Sequence, residues 1–198
     1  MKSNGLLLLV AGLLIYSCSA ENISGNYYFQ YQKELDSIKH IYRSSYKQQP
    51  FSLSFTDRDF RTISLEIHTD SLTYIYDFST TEPRLRDTLF KYHLQVNGIT
   101  QLIGLMHSIR CTWVNNFDYY TGDQKKSLIF ISVKPVRGHS FFNSGKYYIL
   151  TYYSQRQYFD KEGRLLDKWR LRRLRKINGD IFRRINDSVC YTISGQYR

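Results

Sequence analysis

Residues 51–78 read FSLSFTDRDFRTISLEIHTDSLTYIYDF, and the prediction of the fold starts from the pattern of these residues. Its first two segments alternate apolar and polar residues, which is the pattern of strands with one buried face. The third segment, Leu72 to Phe78, is rich in Tyr and Ile, residue types that favour strands. Short polar turns separate the segments at 57–59 and 69–71. Three consecutive strands joined in this way predict an antiparallel meander.

Helical patterns lie on both sides of the meander. From Gln32 to Lys47 apolar residues recur at helical spacing, and Pro50 ends that segment. A second helix is predicted over Ile99–Ile109, with Asn97-Gly98 as the break before it. Residues 85–96 fit a helix, although 90–96 also fit an extended chain. The aromatic run 26–31 predicts a strand at the start of the domain.

The C-terminal half is rich in strand patterns. Strands are predicted over 128–133, 147–159, 164–169 and 188–194, with loops over 115–126 and 135–145. Asn178-Gly179 is the strongest hairpin signal, because these residue types accept the positive φ of a tight turn. Residues 164–177 also fit half a helix, and turn signals on both sides favour the strand.

These elements predict an α+β fold with a single domain over residues 26–198. A mainly antiparallel, curved sheet carries the early helix and a central helix packed on one face. The order of elements resembles the helix-on-curved-sheet folds of the NTF2-like and cystatin-like kind. A lipocalin-like barrel is the alternative, because Gly25-Asn26-Tyr27-Tyr28 resembles the opening strand of that family.

The N-terminus carries the parts of an export signal. Lys2 supplies a positive charge, residues 6–16 form an uncharged apolar run, and Ile15-Tyr16-Ser17-Cys18 closes it. The run is shorter than the roughly 20 apolar residues of a membrane-spanning helix. Its end resembles the lipobox of bacterial lipoproteins. A plain secretory signal with an incidental cysteine is the rival interpretation.

The lipobox resemblance implies where the protein resides. It implies removal of the signal peptide 1–17, a lipid on Cys18, and a polar tether over 18–25. The protein would then be lipid-anchored in the bacterial cell envelope, at the outer membrane, with the membrane as a partner through that lipid.

The charge of the chain bears on its other partners. The 198 residues carry a formal net charge of +11, with 18 Tyr and 12 Phe. An exported protein rarely meets nucleic acid, so we expect no nucleic-acid partner. Anionic lipid headgroups or an acidic glycan are the expected partners, and a solvated basic surface is the simpler alternative.

The basic residues concentrate near the C-terminus. Nine lie between Arg164 and Arg184, against two acidic residues. A hairpin at Asn178-Gly179 would bring arginines on its two sides together, and like charges opposed across a sheet are unfavourable. The sequence therefore predicts an anion-binding patch. Its residues are Arg172, Arg173, Arg175, Arg183 and Arg184. An outward solvated face remains the alternative.

Two cysteines remain after Cys18. Cys111 and Cys190 fall in apolar segments, and an exported compartment permits a disulfide between them. The alternative is two small buried thiols. Their spacing matches no zinc site.

No sequence motif identifies a metal site, a catalytic site or a cofactor site. Glu66, His68 and Asp70 share one strand face, but the alternation with apolar residues explains them as solvated, so we predict no metal site. We identify no catalytic residue and no cofactor motif. We therefore expect a non-enzymatic envelope lipoprotein that binds a ligand or partner through a concave aromatic sheet face or the basic patch. A lipid-tethered hydrolase acting on glycan or peptide is the alternative.

Overall fold

The computed structural model describes residues 23–121, 123–135, 147–167 and 172–194. Four helices lie within them: 23–30 (α1), Gln32–Gln48 (α2), Pro83–Lys91 (α3) and Val96–Ser108 (α4). The longer strands are Phe51–Phe55 (β1), Thr62–His68 (β2), Thr73–Ser79 (β3), Trp113–Thr121 (β4), Gln124–Pro135 (β5), Tyr147–Tyr153 (β6) and Val189–Ser194 (β12). Five short strands precede β12: Tyr158–Phe159 (β7), Leu165–Leu166 (β8), Lys176–Ile177 (β9), Asp180–Ile181 (β10) and Arg183–Arg184 (β11).

One antiparallel sheet organises the domain. Its eight strands run in the order β11-β12-β6-β5-β4-β1-β2-β3, and the hairpins β7–β8 and β9–β10 form two small sheets of their own. The predicted α+β class and the antiparallel meander β1–β2–β3 are confirmed. The large sheet ends in two separate edges, β11 and β3, so the lipocalin-like alternative is wrong.

The helices share the main core with one face of the sheet. The strand register aligns Leu65, Leu53, Val114, Ile131 and Leu150 in one row, and opposed residues of antiparallel strands point to the same side. All five are fully buried, together with residues of each of the four helices. The period-two alternation of the sequence therefore separates this helix-covered face from the opposite face.

The opposite face of the sheet carries a second, smaller core. It consists of Leu128, Tyr153, Leu165, Phe182 and Cys190. Leu165 and Phe182 belong to the chain that runs from β7 to β11. Where this chain is described between 164 and 177, it forms short strands, isolated bridges and bends, and no helix. The preference for strand over helix in that stretch is confirmed there. The Asn178-Gly179 hairpin is confirmed as the turn of β9–β10.

The N-terminal strand prediction is wrong. Residues 26–31 lie in or directly after α1, whose described residues 23–30 include the last three residues of the predicted tether 18–25. Packing explains the difference: Tyr28 is buried against the core, and the hydroxyl of Tyr27 donates a 2.6 Å hydrogen bond to the carbonyl oxygen of Ile109. A helix places both neighbouring rings against the domain, whereas a strand would turn one of them away.

Two predicted interruptions of regular structure, a loop and a chain break, are wrong. The predicted loop 115–126 is instead the hairpin of β4 and β5, whose turn lies between the paired residues Thr121 and Gln124. Asn97-Gly98 lies in the first turn of α4, and the chain breaks earlier, at His93, whose φ of 57° ends α3. Polar side chains and a glycine are compatible with regular structure when neighbouring strands or helices pack against them.

Some predictions lie outside the described residues. They concern the signal peptide 1–17, Cys18 with its lipobox, nearly all of the loop 135–145, and residues 168–171. Among the described helices, none combines the length and the apolar character needed to cross a bilayer.

Candidate functional site

A cleft of about 240 Å³ opens on the sheet face opposite the helices. Side chains of β4, β5, β6 and β12 form its floor, and the β9–β10 hairpin forms one wall. Its apolar lining consists of Trp113, Phe117, Phe130, Ile149, Ile177 and Phe182. We refer to this site as the cleft.

The floor follows from the register of the strands. Trp113 on β4 lies opposite Ser132 on β5. Ser132 lies opposite Ile149 on β6, and Ile149 lies opposite Thr192 on β12. The next row on the same face begins with Asn115 and Phe130. The side chains of these residues point away from the main core because they alternate with residues of the helix-covered face.

The wall of the cleft depends on a tight turn. Asn178 and Gly179 both have positive φ, at 52° and 83°, as the two-residue turn of a hairpin requires. The hydroxyl of Thr192 donates a 3.1 Å hydrogen bond to the carbonyl oxygen of Ile181, which fastens the hairpin to β12. The turn thus places Asn178 and Asp180 at the cleft.

Two polar side chains of the cleft have hydrogen-bonding capacity to spare. The Oδ1 atom of Asn115 accepts a 2.7 Å hydrogen bond from the N–H of Asn116, which leaves the amide NH₂ group as a donor. Asp180 is half-buried, and no side chain in the described part of the domain pairs with its carboxylate. A ligand in the cleft would therefore meet one donor group and one acceptor group.

The electrostatics of the cleft favour ligands that are not anions. Asp180 is the single charged residue among the described lining residues. Hydrolysis of a glycosidic bond uses a pair of carboxylates, and the described lining supplies one. The arrangement suits reversible binding of a molecule with an apolar face and polar edges.

The predicted anion patch is divided by β8. The N–H of Leu165 donates to the carbonyl of Phe182 over 2.9 Å, and the N–H of Arg175 donates to the carbonyl of Leu165 over 2.9 Å. Strand β8 therefore lies between the chain around Arg175 and the chain around Arg183. The expectation that these arginines oppose one another across the hairpin is wrong, because β9–β10 pairs over only two residues on each side.

Two of the five arginines have partners within the domain. Arg184 forms a 2.7 Å ion pair with Asp187 and lies 5.5 Å from the ring centroid of Phe159. Arg175 donates to the side-chain oxygen of Gln157 over 2.5 Å and lies over the ring of Tyr153. The remaining three are exposed and form no ion pair with a described residue. They are Arg172, Arg173 and Arg183, which we call the exposed arginines.

The cysteines do not pair. Cys111 and Cys190 are free, and burial raises the pKa of each thiol to about 12. Cys111 belongs to the main core, whereas Cys190 belongs to the small core on the opposite face. Of the two possibilities that the sequence leaves open, the structure has the two buried thiols and no disulfide between them. Apolar surroundings in the sequence did not reveal which face of the sheet each cysteine occupies.

The acidic and histidine residues of β2 lie on the solvated side, as the alternation predicts. Glu66 accepts a 2.9 Å hydrogen bond from the hydroxyl of Ser52, and His68 contacts the hydroxyl of Thr73 over 3.1 Å. Among the described residues, no group of three metal-ligating side chains comes together.

The sequence prediction missed the cleft. Trp113, Asn115 and Phe117 alternate along β4 with the period of a strand, and this signal was available in the sequence. The polar pair Asn115-Asn116 interrupts this apolar pattern in the sequence and favours the prediction of a loop over 115–126. Asp180, directly after the Asn-Gly turn, belongs to no site motif in the sequence, and in the structure it lines the cleft.

No protein-family model, curated protein or solved structure matches this chain.

Proposed function

We propose that the protein is a non-enzymatic binding module of the cell envelope, and that the cleft holds one neutral saccharide unit. The observation that carries this proposal is the combination of aromatic floor, amide donor and carboxylate acceptor in one small cleft. Phe117 and Phe130, with ring centroids 6.4 Å apart, offer apolar surface to the C–H face of a sugar ring. Asn115 and Asp180 offer a donor and an acceptor to its hydroxyl groups.

Size and charge narrow the ligand class. At about 240 Å³ the cleft is smaller than the pockets of about 300–1,000 Å³ that hold drug-sized ligands. It therefore suits a single ring or the end of a chain. A hydroxyl group both donates and accepts, so it can satisfy Asn115 and Asp180 at once. A negatively charged sugar would instead be repelled by Asp180.

The location of the module is part of the proposal. A lipid on Cys18 would hold the domain at the envelope, where glycans are abundant. The hydrolase alternative has less support, because the described cleft lining has one carboxylate and no histidine or cysteine.

Contact with an anionic surface is a second candidate function. The exposed arginines favour it, since their charges are not neutralised by described residues. Anionic lipid headgroups beside the anchor, or an acidic glycan, are the partners that this charge would attract. This contact would orient the domain against the surface.

A binding assay on the full chain tests the saccharide proposal. Neutral mono- and disaccharides are titrated calorimetrically against the wild type and three variants. Phe117→Ala and Asp180→Asn remove the stacking surface and the charged acceptor, and each should weaken binding about 10-fold or more. Tyr120→Ala is the matched control, because Tyr120 is an exposed aromatic residue on the same strand but outside the cleft.

The salt dependence separates a neutral ligand from a charged one. Affinity for a neutral sugar should stay constant as ionic strength rises, because screening acts on charge pairs. Affinity that is unchanged in both cleft variants, or no saccharide binding at all, would contradict the proposal.

A further inference from the structure

The outer edge of β3 presents backbone N–H and C=O groups that pair with no strand in the described part of the chain. The N–H of Thr80 donates to the carbonyl of Arg61, and the N–H of Thr69 donates to the carbonyl of Leu72, each over 2.8 Å. Because antiparallel hydrogen bonds recur at every second residue, these two bonds fix the pattern between them. Tyr74, Tyr76 and Phe78 bond to β2, whereas Thr73, Ile75 and Asp77 direct their N–H and C=O groups outward. Strand β3 ends the sheet, so no described strand receives them.

The two edges of the sheet differ in protection. Strand β11 is two residues long, and both are arginines, so it offers little template for pairing. Strand β3 is seven residues long and pairs with β2 without a bulge. It contains no Lys or Pro, the residues that commonly block edge pairing. Ile75 at its middle is 60% exposed, and neighbouring Leu72 is 58% exposed. The outer edge of β3 can therefore form hydrogen bonds with another strand.

The sequence of the edge is symmetric in chemical character. Residues 72–78 read LTYIYDF, which is apolar, polar, Tyr, Ile, Tyr, polar, apolar about Ile75. The outward-directed residues Thr73, Ile75 and Asp77 are symmetric about the same centre. A two-fold axis repeats one surface on both partners, so a self-complementary strand is what an isologous interface needs.

We propose that the protein forms a homodimer in which β3 pairs antiparallel with β3 of a second copy, with the two-fold axis at Ile75. The proposal is independent of the proposed saccharide site. In this register Ile75 faces Ile75 of the second copy, and Tyr74 faces Tyr76 of the second copy. Thr73, Ile75 and Asp77 each exchange N–H and C=O hydrogen bonds with their counterparts, which completes the edge of both sheets.

Charge is compatible with this register. Asp77 faces Thr73 of the second copy, and its carboxylate can accept a hydrogen bond from the hydroxyl of that threonine. The two Asp77 residues are four positions apart along the paired strands, which is roughly 13 Å. That distance exceeds the screening length of about 10 Å at 0.1 M ionic strength, so their repulsion is small.

The test is sedimentation of the full chain in density-matched non-ionic detergent. Ile75→Lys and Ile75→Glu each place like charges on the axis, and each should be monomeric alone. An equal mixture of the two should dimerise again, because the opposed charges are then complementary. Ile75→Pro removes the outward N–H without touching the β2 ladder and should also be monomeric. Tyr120→Lys, which changes an exposed aromatic residue on β4, is the control and should remain dimeric.

The expected size of the effect is a dissociation constant raised about 100-fold or more in each single variant, since the central hydrogen bonds or apolar contact are lost. Circular dichroism checks that every variant keeps its fold. A wild type that is monomeric at its highest soluble concentration overturns the proposal. The outer edge of β3 would then be available only to a strand of another protein. Ile75 variants that dimerise like the wild type, or a mixture that stays monomeric, also overturn it.

Discussion

The hydroxyl of Tyr42 donates a 2.6 Å hydrogen bond to the carbonyl oxygen of Phe51. Tyr42 lies on α2 and Phe51 is the first residue of β1, so this bond fastens the helix to the sheet where the chain turns back. The two ring centroids are 4.9 Å apart, and both residues are fully buried. Helix α2 thereby fixes the side of the sheet that becomes the main core, which leaves the other side for the cleft.

Tyr42→Phe should lower the free energy of unfolding by about 1–3 kcal/mol, because the buried carbonyl of Phe51 loses its donor while the ring packing is kept. Chemical denaturation followed by circular dichroism measures this change. Tyr120→Phe is the control, since Tyr120 is 70% exposed, and it should change stability by less than about 0.5 kcal/mol. Equal stability of the Tyr42 variant and the wild type would show that the bond contributes nothing net.

Stability should fall in alkaline solution. Burial raises the pKa of Tyr42 and Tyr152 well above the ordinary value, and burial raises the pKa of Cys111 to about 12. In the unfolded chain these groups titrate at about 10 for Tyr and about 8.5 for Cys. Their stabilising contribution is therefore complete below those values and is lost as the pH rises from them toward the higher pKa values of the folded protein.

Each group that ionises only on unfolding costs about 1.4 kcal/mol of stability per pH unit. Unfolding curves at pH 7, 9 and 10.5 measure the trend. A free energy of unfolding that stays flat across this range would mean that the folded protein ionises these groups as readily as the unfolded chain.

Two glycines should respond to alanine in opposite directions. Gly179→Ala places a Cβ at a φ of 83° and should destabilise the protein by about 1–2 kcal/mol through backbone strain. A Cβ at this position meets no atom within 4 Å, so the strain acts without a clash. Gly104→Ala has the same free space but lies on α4, where alanine should stabilise by about 0.5–1 kcal/mol.

Thermal unfolding of both glycine variants gives the comparison. The Gly179 variant should also bind ligand more weakly, because the hairpin that carries Asp180 would be loosened. Identical effects of the two substitutions would show that the hairpin turn is not under conformational constraint.

The exposed arginines should bind anionic vesicles. Changing Arg172, Arg173 and Arg183 to Gln should abolish salt-sensitive binding, since each basic residue near such a surface contributes about 1 kcal/mol. The control changes Arg58, Arg61 and Arg86 to Gln, which lowers the net charge equally at other exposed positions. Cosedimentation of the full chain with phosphatidylserine vesicles measures both variants. Loss of binding in both would indicate nonspecific charge attraction only.

Cys18 should carry a lipid. Metabolic labelling with a palmitate analogue should mark the wild type and leave Cys18→Ala unlabelled, because the apolar run before Cys18 is too short to span a bilayer. Ser17→Ala keeps a small residue before the cleavage point and should be labelled normally. Equal labelling of the Cys18 variant would contradict the lipobox interpretation.

Local patterns determined much of the fold in advance. The alternation in 51–67 predicts β1 and β2 with their buried faces, and the helical spacing in 32–47 and 99–109 predicts α2 and most of α4. Asn178-Gly179 predicts its hairpin. These signals succeed because periodicity and turn chemistry depend on residues that are neighbours along the chain.

Other features of the fold and of the cleft depend on contacts between residues that are distant in sequence. Whether 26–31 is helix or strand depends on a core contact with Ile109, and whether 115–121 is loop or strand depends on its pairing with β5. The insertion of β8 separates the arginines, and the two faces of the sheet separate the cysteines. The cleft exists only because strand order brings β4 and β12 beneath one hairpin. Strand order joins residues far apart in sequence, so no local pattern records it.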